Sequence, residues 1–268
     1  MYRGFNLDLL ELNYLDASLF ERGQILFNDN KSKVKKTMEN YIGVNGSLLG
    51  SKMQEDWFPQ IKADIFISHS HKDEKKAIVL AGWLERNLGM KAFIDSCIWE
   101  NSNDLLSLIN NRYCLNPDGK TFNYDKLNYS ASHIHMMLST ALTMMIDKTE
   151  CLFFLNTPNS ISASGVINRT ESPWIYSEIS TAKLIRKKMP DRISNKGTKD
   201  FSEKGGLGEN LRVQYELNLN YLTKLNLDSL NIWNNKATND VHSLDTLYKL
   251  HPLPMPPTIK PITLTFPK

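Results

Sequence analysis

The chain has 268 residues, of which 41% are hydrophobic, enough for one main domain with extensions and a real core. Its net charge of +3 is nearly balanced, so no nucleic-acid partner is indicated. Acidic residues interrupt the apolar N-terminus and no apolar run reaches the length of a membrane span, so we expect neither a signal peptide nor a membrane partner. The three cysteines, Cys97, Cys114 and Cys151, form no CxxC pair, which favours a reducing, cytoplasmic location.

The composition along the chain predicts three parts. Residues 1–60 are polar and are predicted to form a helical N-terminal extension. Residues 61–250 form the main domain, interrupted at 113–130 by a polar and aromatic insertion with a Pro-Asp-Gly turn. Residues 251–268 form a proline-rich tail that we expect to lie extended over the surface.

Short buried runs alternate with amphipathic segments in the main domain. Strands are predicted within 63–70, 91–96 and 151–157, each followed by a helical segment, and a fourth strand is predicted within 212–219. This alternation predicts an α/β fold, a flavodoxin-like parallel sheet with helices on both faces. Ligands bind such sheets outside the carboxyl ends of the strands.

Polar residues stand at those carboxyl ends and are expected to cluster. Ser68, His69 and Ser70 lie between a strand and the N-terminus of a helix, which is a favourable place for a diphosphate; Ser68 and Ser70 could instead cap the helix. Asp95 ends the second strand, where it could bond a sugar hydroxyl, order the next loop, or cap a helix.

One acidic residue interrupts the apolar side of the helix predicted at 170–185. Glu178 stands among Trp174, Ile175 and Ile179, and a carboxylate there costs desolvation free energy unless it is paired or used. A structural ion pair and a catalytic role are both open for Glu178. Trp174 lies one helical turn earlier on the same face, where it could wall a pocket or belong to the core.

Several common sites are missing from the sequence. No GxGxxG follows a strand and there is no Walker A lysine loop, so a Rossmann dehydrogenase and a P-loop NTPase are disfavoured. His133 and His135 are two residues apart on a predicted helix and cannot form the i,i+4 metal pair. We predict no metal site.

Three segments, in order, resemble the TIR (Toll/interleukin-1 receptor) domain. They are DIFISHSHKDE, then FIDS followed by a tryptophan-containing segment, then SPWIYSE. The first two resemble the first strand with its loop and the second strand leading into the BB loop. The third resembles the segment that carries the catalytic glutamate of NAD-cleaving TIR enzymes. The resemblance covers residues 63–190 and is strongest to bacterial TIR proteins of antiphage defence, such as the Thoeris type.

This resemblance implies an NAD glycohydrolase or ADP-ribosyl cyclase with Glu178 as the catalytic residue and NAD as substrate rather than cofactor. The product would be ADP-ribose or a cyclic ADP-ribose signal, a diffusible nucleotide that reaches a downstream effector. Independently of the resemblance, Trp99 in the segment after the second strand could stack on a base. The alternative is a non-enzymatic TIR adaptor that acts by TIR–TIR assembly, although adaptor domains commonly lack the glutamate.

The chemistry of the residues agrees with such a reaction. The nicotinamide of NAD is already cationic, so it leaves without a general acid, and the ribose becomes an oxocarbenium-like centre as in glycoside cleavage. One carboxylate can stabilise that charge, hold the ribose hydroxyls or act briefly as nucleophile. Water, an adenine nitrogen and a ribose hydroxyl all remain open as the attacking group.

Self-association is a further expectation. The segment after Asp95, residues 96–103, is predicted to be a solvent-facing loop that carries Cys97, Ile98 and Trp99. An exposed apolar loop of this kind often marks a contact, and it could complete the Glu178 pocket of another copy. Trp99 could equally fold back onto its own domain.

Overall fold

The computed structural model describes residues 1–9, 16–31, 38–162, 168–190, 215–237 and 242–253. The strands in these ranges are β1 (Arg3–Leu7), β2 (Ile65–Ser68), β3 (Ala92–Ile94), β4 (Cys151–Leu155), β5 (Arg169–Thr170), β6 (Tyr215–Glu216) and β7 (Thr223–Leu225). Five of them form the central sheet, in the order β3-β2-β4-β1-β7, and all neighbouring strands of that sheet are parallel. The predicted α/β class with a flavodoxin-like parallel sheet is confirmed.

The strands of the sheet are continuous apolar runs, so both faces of the sheet need a cover, and helices provide it. None of the helices in the described ranges is both long and apolar enough to cross a bilayer. The helices are α1 (Ala17–Lys31), α2 (Gly50–Trp57), α3 (Glu74–Leu88), α4 (Ser96–Ile109), α5 (Tyr124–Lys148), α6 (Pro173–Leu184), α7 (Leu227–Lys236) and α8 (Ser243–Leu250).

The N-terminal region contains the predicted helices, α1 and α2, but it begins with a strand. Strand β1 lies between β4 and β7, with Arg3 opposite Cys151 and Leu7 opposite Leu155. The prediction of helix at residues 3–7 is wrong because a central strand shows no polar alternation, and so short a run has no readable period. Counted from β2, the sheet keeps the flavodoxin order, with β1 in the place of the fourth strand.

The described part of the strand predicted within 212–219 does not join this sheet, and residues 212–214 lie outside the described ranges. Its described part forms β6, which pairs antiparallel with β5. The edge position next to β1 belongs to β7 instead. Of the predicted proline-rich tail, residues 254–268 lie outside the described residues.

The segment after Asp95 is helix α4 and not a loop. Cys97 and Ile98 are each 1% exposed, and Trp99 is half-buried, so the predicted solvent-facing apolar patch is wrong. The segment's apolar residues serve the core of their own domain. The predicted insertion at 113–130 overlaps α5, and its turn is closed by a bridge between Leu115 and Phe122.

Helix α1 lies directly against α3. Gly23 of α1 faces the backbone of Ile78, and Gly82 of α3 faces the backbone of Leu19. Neither glycine position has room for a methyl group, so the two helix backbones touch where the glycines meet.

Because β1 is central, truncating one of its core side chains should destabilise the whole domain. Phe5 is completely buried and contacts Phe153 edge-on, so Phe5→Ala is expected to lower the free energy of unfolding by about 3–5 kcal/mol. Ile25→Ala, on the exposed side of α1 at 63% exposure, should change it by less than about 0.5 kcal/mol. Urea unfolding of both variants measures this, and equal, small losses would contradict a central β1.

Candidate functional site

The carboxyl edge of the sheet and helix α6 together build the site. Ser68 is the last residue of β2, and Asp95 directly follows β3. Helix α6 begins after Ser172, whose Oγ accepts a hydrogen bond from the backbone N of Ile175 at 3.3 Å. This cap fixes the start of α6, and Glu178 in its second turn points inward, where it is 1% exposed.

Ser68 and Asp95 are the groups nearest to the Glu178 carboxyl. The Ser68 hydroxyl donates to Oε2 of Glu178 at 2.6 Å. The Asp95 carboxyl lies within hydrogen-bonding reach of the Glu178 carboxyl. Two ionised carboxylates so close together repel each other, and Oε1 of Glu178 has no hydrogen-bond partner among the described residues. In the described ranges, the buried Glu178 carboxyl therefore lies beside the Ser68 hydroxyl and a second buried acid, Asp95, and forms no ion pair with a lysine.

Burial dominates the proton equilibria of this cluster. It raises the pKa of Asp95 to about 8. It also raises the pKa of Glu178 well above its usual range, with the neighbouring Asp95 adding to the shift. Burial lowers the pKa of His69 to about 4. At neutral pH the imidazole is therefore neutral and the carboxyl pair holds at least one proton.

His69 and Trp99 complete the buried cluster. Nδ1 of His69 lies 2.7 Å from Oδ1 of Asp95. This distance suits a hydrogen bond, but the geometry of the two groups does not meet the angle that a hydrogen bond requires. The ring of Trp99 stacks on His69 with centroids 5.7 Å apart and planes at 12°. Trp99 thus covers the cluster from the first turn of α4.

Trp174 lies one helical turn before Glu178 on α6. It is half-buried and packs against the core. Its ring contacts His135 of α5 edge-on, with centroids 5.9 Å apart. The sequence left two roles open for Trp174, a pocket wall and a core position. The contacts of the described residues show Trp174 packed between α6 and α5.

The capping alternative for Ser68 and Ser70 is wrong. Ser68 donates to Glu178, and Ser70, at the start of the single helical turn His71–Asp73, makes no capping bond with its side chain. Ser70 is buried, so neither hydroxyl faces solvent as a ready diphosphate ligand.

Asp73 is a buried carboxylate that the sequence reasoning missed. It lies at the N-terminus of α3, where it accepts hydrogen bonds from the Thr157 hydroxyl and from Asn159 Nδ2 at 3.0 Å, and pairs with Lys76 Nζ at 2.9 Å. Burial opposes ionisation, but the hydrogen bonds from Thr157, Lys76 and Asn159 hold the pKa of Asp73 below its usual range. The signal in the sequence was an acid at the start of the helix that follows β2. A negative charge already faces this helix N-terminus, which disfavours a second anion there.

The site is closed. Ser68, His69 and Asp95 have no exposed surface, and Glu178 is almost as deeply buried. A ligand as large as a dinucleotide can reach the Glu178 carboxyl only after a neighbouring element moves. Within the described ranges, no group of three or more His, Cys, Asp or Glu residues is arranged to hold a metal ion.

No protein-family model matches the chain, and no curated protein or solved structure is detectably similar to it. The resemblance to TIR domains therefore rests on three short segments and their order. The structure brings residues from all three segments, Ser68, Asp95 and Glu178, into one cluster.

The raised pKa of Asp95 predicts how stability depends on pH. Below the unfolded pKa near 3.8, both states are protonated and the contribution is complete. As pH rises toward about 8, the unfolded state loses the proton first, so folding stability falls, by up to about 1.4 kcal/mol per pH unit. Glu178 acts in the same direction.

Urea unfolding between pH 6.5 and 8.5 measures this slope. Asp95→Asn should flatten it and should be more stable than the wild type at pH 8. Parallel curves for the two proteins would contradict a protonated Asp95.

Proposed function

We propose that this protein cleaves the nicotinamide–ribose bond of NAD with Glu178 as the catalytic residue. The supporting observation is the Glu178 carboxyl at the carboxyl edge of the sheet, with Oε2 held by Ser68 and Oε1 left without a partner among the described residues. In parallel sheets this edge is where ligands bind. An oriented carboxyl in a dry environment is the group that a developing ribosyl cation requires.

The reaction uses Glu178 in its ionised form. The bond between the ribose carbon and the ring nitrogen breaks, its electron pair stays with nicotinamide, and the ribosyl centre becomes cationic. A bound pyridinium cation favours ionisation of Glu178, and the proton of the carboxyl pair then rests on Asp95. Attack by water forms the new carbon–oxygen bond of ADP-ribose, and the proton that the water loses passes through the Glu178 carboxylate to solvent. Attack by a group of ADP-ribose itself gives a cyclic product.

The contacts to the rest of NAD can form only after the closed site has opened. We assign the side chains of Ser70 and His69 to the diphosphate, and not the N-terminus of α3, which Asp73 already occupies. Asp95 takes a sugar hydroxyl and Trp99 a base, while Trp174 forms the outer wall. His69, Asp95 and Trp99 lie in the described cluster, and its burial means that Trp99 has to move off His69 first.

The biological setting follows the same proposal. The product would be a diffusible signal in antiphage defence that acts on a separate effector, and self-association through the TIR-like domain would open the site. The three cysteines are free and buried, which is compatible with the cytoplasm that we propose.

A non-enzymatic adaptor is the second candidate, and the closed site favours it. A buried acid pair could serve only to hold α4 and α6 in place until another copy binds. Such a protein would keep Glu178 for structure and would not turn over NAD.

The deciding experiment is incubation of the purified full chain with NAD, followed by chromatography for nicotinamide, ADP-ribose and cyclic products. A protein dilution series shows whether activity per molecule rises with concentration, as activation by self-association requires. If no nicotinamide is released at any concentration between pH 6 and 9, the enzyme proposal fails.

A further inference from the structure

An unpartnered polar group lies on β1, away from the cluster described above. Asn6 is 8% exposed, and its Oδ1 is buried without a hydrogen-bond partner among the described residues. A buried amide oxygen without a partner costs about 1–3 kcal/mol. Asparagine on a central strand is also unfavourable, so its presence there calls for an explanation.

The strand register places Asn6 in one row with the proposed catalytic site. Asn6 is opposite Phe154 of β4, and Phe154 is opposite Ser68 of β2. Paired residues of neighbouring parallel strands point to the same face of a sheet, so Asn6, Phe154 and Ser68 share a face. Ser68 holds Glu178 on this face.

The neighbouring residues of β1 confirm this orientation. Phe5 contacts Phe153, which in turn contacts Trp233 of α7, on the opposite face. Gly4, which points the same way as Asn6, faces Leu222 and, next to it, Tyr221. The hydroxyl of Tyr221 donates to the backbone of Ile179 in α6. The face of Asn6 is therefore the face that α6 covers.

The row contains three buried chemical groups in sequence: a carboxyl at Glu178, an aromatic ring at Phe154 and an amide at Asn6. Because α6 covers this face, a ligand reaches the row only after α6 moves. The Cα atoms of Ser68 and Asn6 are roughly 10 Å apart, two strand spacings. The nicotinamide riboside half of NAD presents a matching series: a ribosyl carbon that becomes cationic, a pyridinium ring and a carboxamide. A pyridinium is attracted to an aromatic face, and a carboxamide N–H is a donor for an unpartnered amide oxygen.

We propose that Asn6 binds the leaving group, with its Oδ1 accepting a hydrogen bond from the carboxamide N–H of nicotinamide. This inference rests on the proposed function, because it assigns the nicotinamide half of NAD to the Asn6 side of Glu178. Asn6 is then a specificity residue that the N-terminal strand supplies. A site built around a buried acceptor rejects a ligand that lacks the matching donor.

The test compares NAD with its 3-acetylpyridine analogue, in which a methyl ketone replaces the carboxamide and removes the N–H donor. Dissociation constants are measured by calorimetry in a Glu178→Gln background, so that turnover does not interfere. The protein with Asn6 should bind NAD about tenfold or more tightly than the analogue. Asn6→Leu, of similar size, should bring the two within about twofold. Asn6→Ala provides a second variant should leucine disturb folding.

Asn101→Leu is the matched control. Asn101 is a similarly buried asparagine whose side chain bonds the backbone of Trp57, and its replacement should leave the preference for NAD intact. A purely structural role for Asn6 would weaken both ligands equally and leave their ratio unchanged.

The outcomes separate this inference from the proposed function. Three results overturn the inference. The protein that keeps Asn6 binds NAD and the analogue equally, both Asn6 variants keep the preference for NAD, or neither dinucleotide binds. Nicotinamide release by the wild type still decides the enzyme proposal independently. If the preference depends on Asn6 while the wild type releases no nicotinamide, the binding site stands and the enzyme proposal fails.

Discussion

Glu178→Gln is expected to abolish NAD cleavage and, at the same time, to make the folded protein more stable at pH 8. Glutamine keeps the size of the side chain and can still accept the hydrogen bond from Ser68, but it lacks the charge that stabilises a ribosyl cation. We expect the rate to fall to less than about a tenth of wild type, a loss above ~1.4 kcal/mol of barrier stabilisation.

The gain in stability has a separate cause. Burial and the nearby Asp95 raise the pKa of Glu178, so the folded state resists an ionisation that the unfolded state undergoes freely. Removing the acid removes this penalty, which is present above the unfolded pKa. An increase of about 1 kcal/mol would raise the melting temperature by roughly 2–4 °C in a domain of this size.

Nicotinamide release and thermal unfolding measure the two effects on the same preparation. Glu21→Gln, on the exposed side of α1, is the control and should change neither. A variant that keeps more than about a tenth of wild-type activity would rule out a central electrostatic role for Glu178. A destabilised variant would contradict the expected gain in stability.

The second large effect is expected from Gly82→Ala, at the contact between α1 and α3. In an open helix this change adds about 1 kcal/mol of stability through helix propensity. Here the new methyl group would overlap the carbonyl oxygen of Leu19 and the backbone of Gly23. Backbone atoms cannot rotate away as a side chain can, so the two helices must separate.

We expect the overlap to outweigh the propensity, with a net loss of at least about 3 kcal/mol and a melting temperature lower by roughly 6–12 °C. Gly50→Ala is the matched control, since Gly50 also lies in a helix, as the first residue of α2. Its methyl group would lie 3.4 Å from the flexible end of Met137, and stability should stay the same or rise. If both substitutions behave alike in thermal unfolding, the close contact of α1 and α3 is not present in solution.

The sequence by itself determined the features that are encoded locally. Strands β2, β3 and β4 were predicted from the sequence because each is a short apolar run that is followed by a helical pattern. Glu178 stood out because a carboxylate on an apolar helix face is unfavourable whatever surrounds it. The expected cluster at the carboxyl ends followed from the parallel sheet alone.

Only the tertiary structure decided which residues meet. Strand β1 pairs with β4, a segment distant in the chain, and no local pattern specifies such a pairing. The helix in place of the loop after Asp95, and the stacking of Trp99 on His69, likewise depend on what covers the segment.

The state of the candidate site was decided in the same way. The protonated acid pair, the neutral His69 and the Asn6 oxygen without a partner among the described residues all follow from burial, which the packing of α4 and α6 over the sheet produces. The sequence gives the type of each residue. Its desolvation on folding, and the groups that it then contacts, depend on elements distant in the chain.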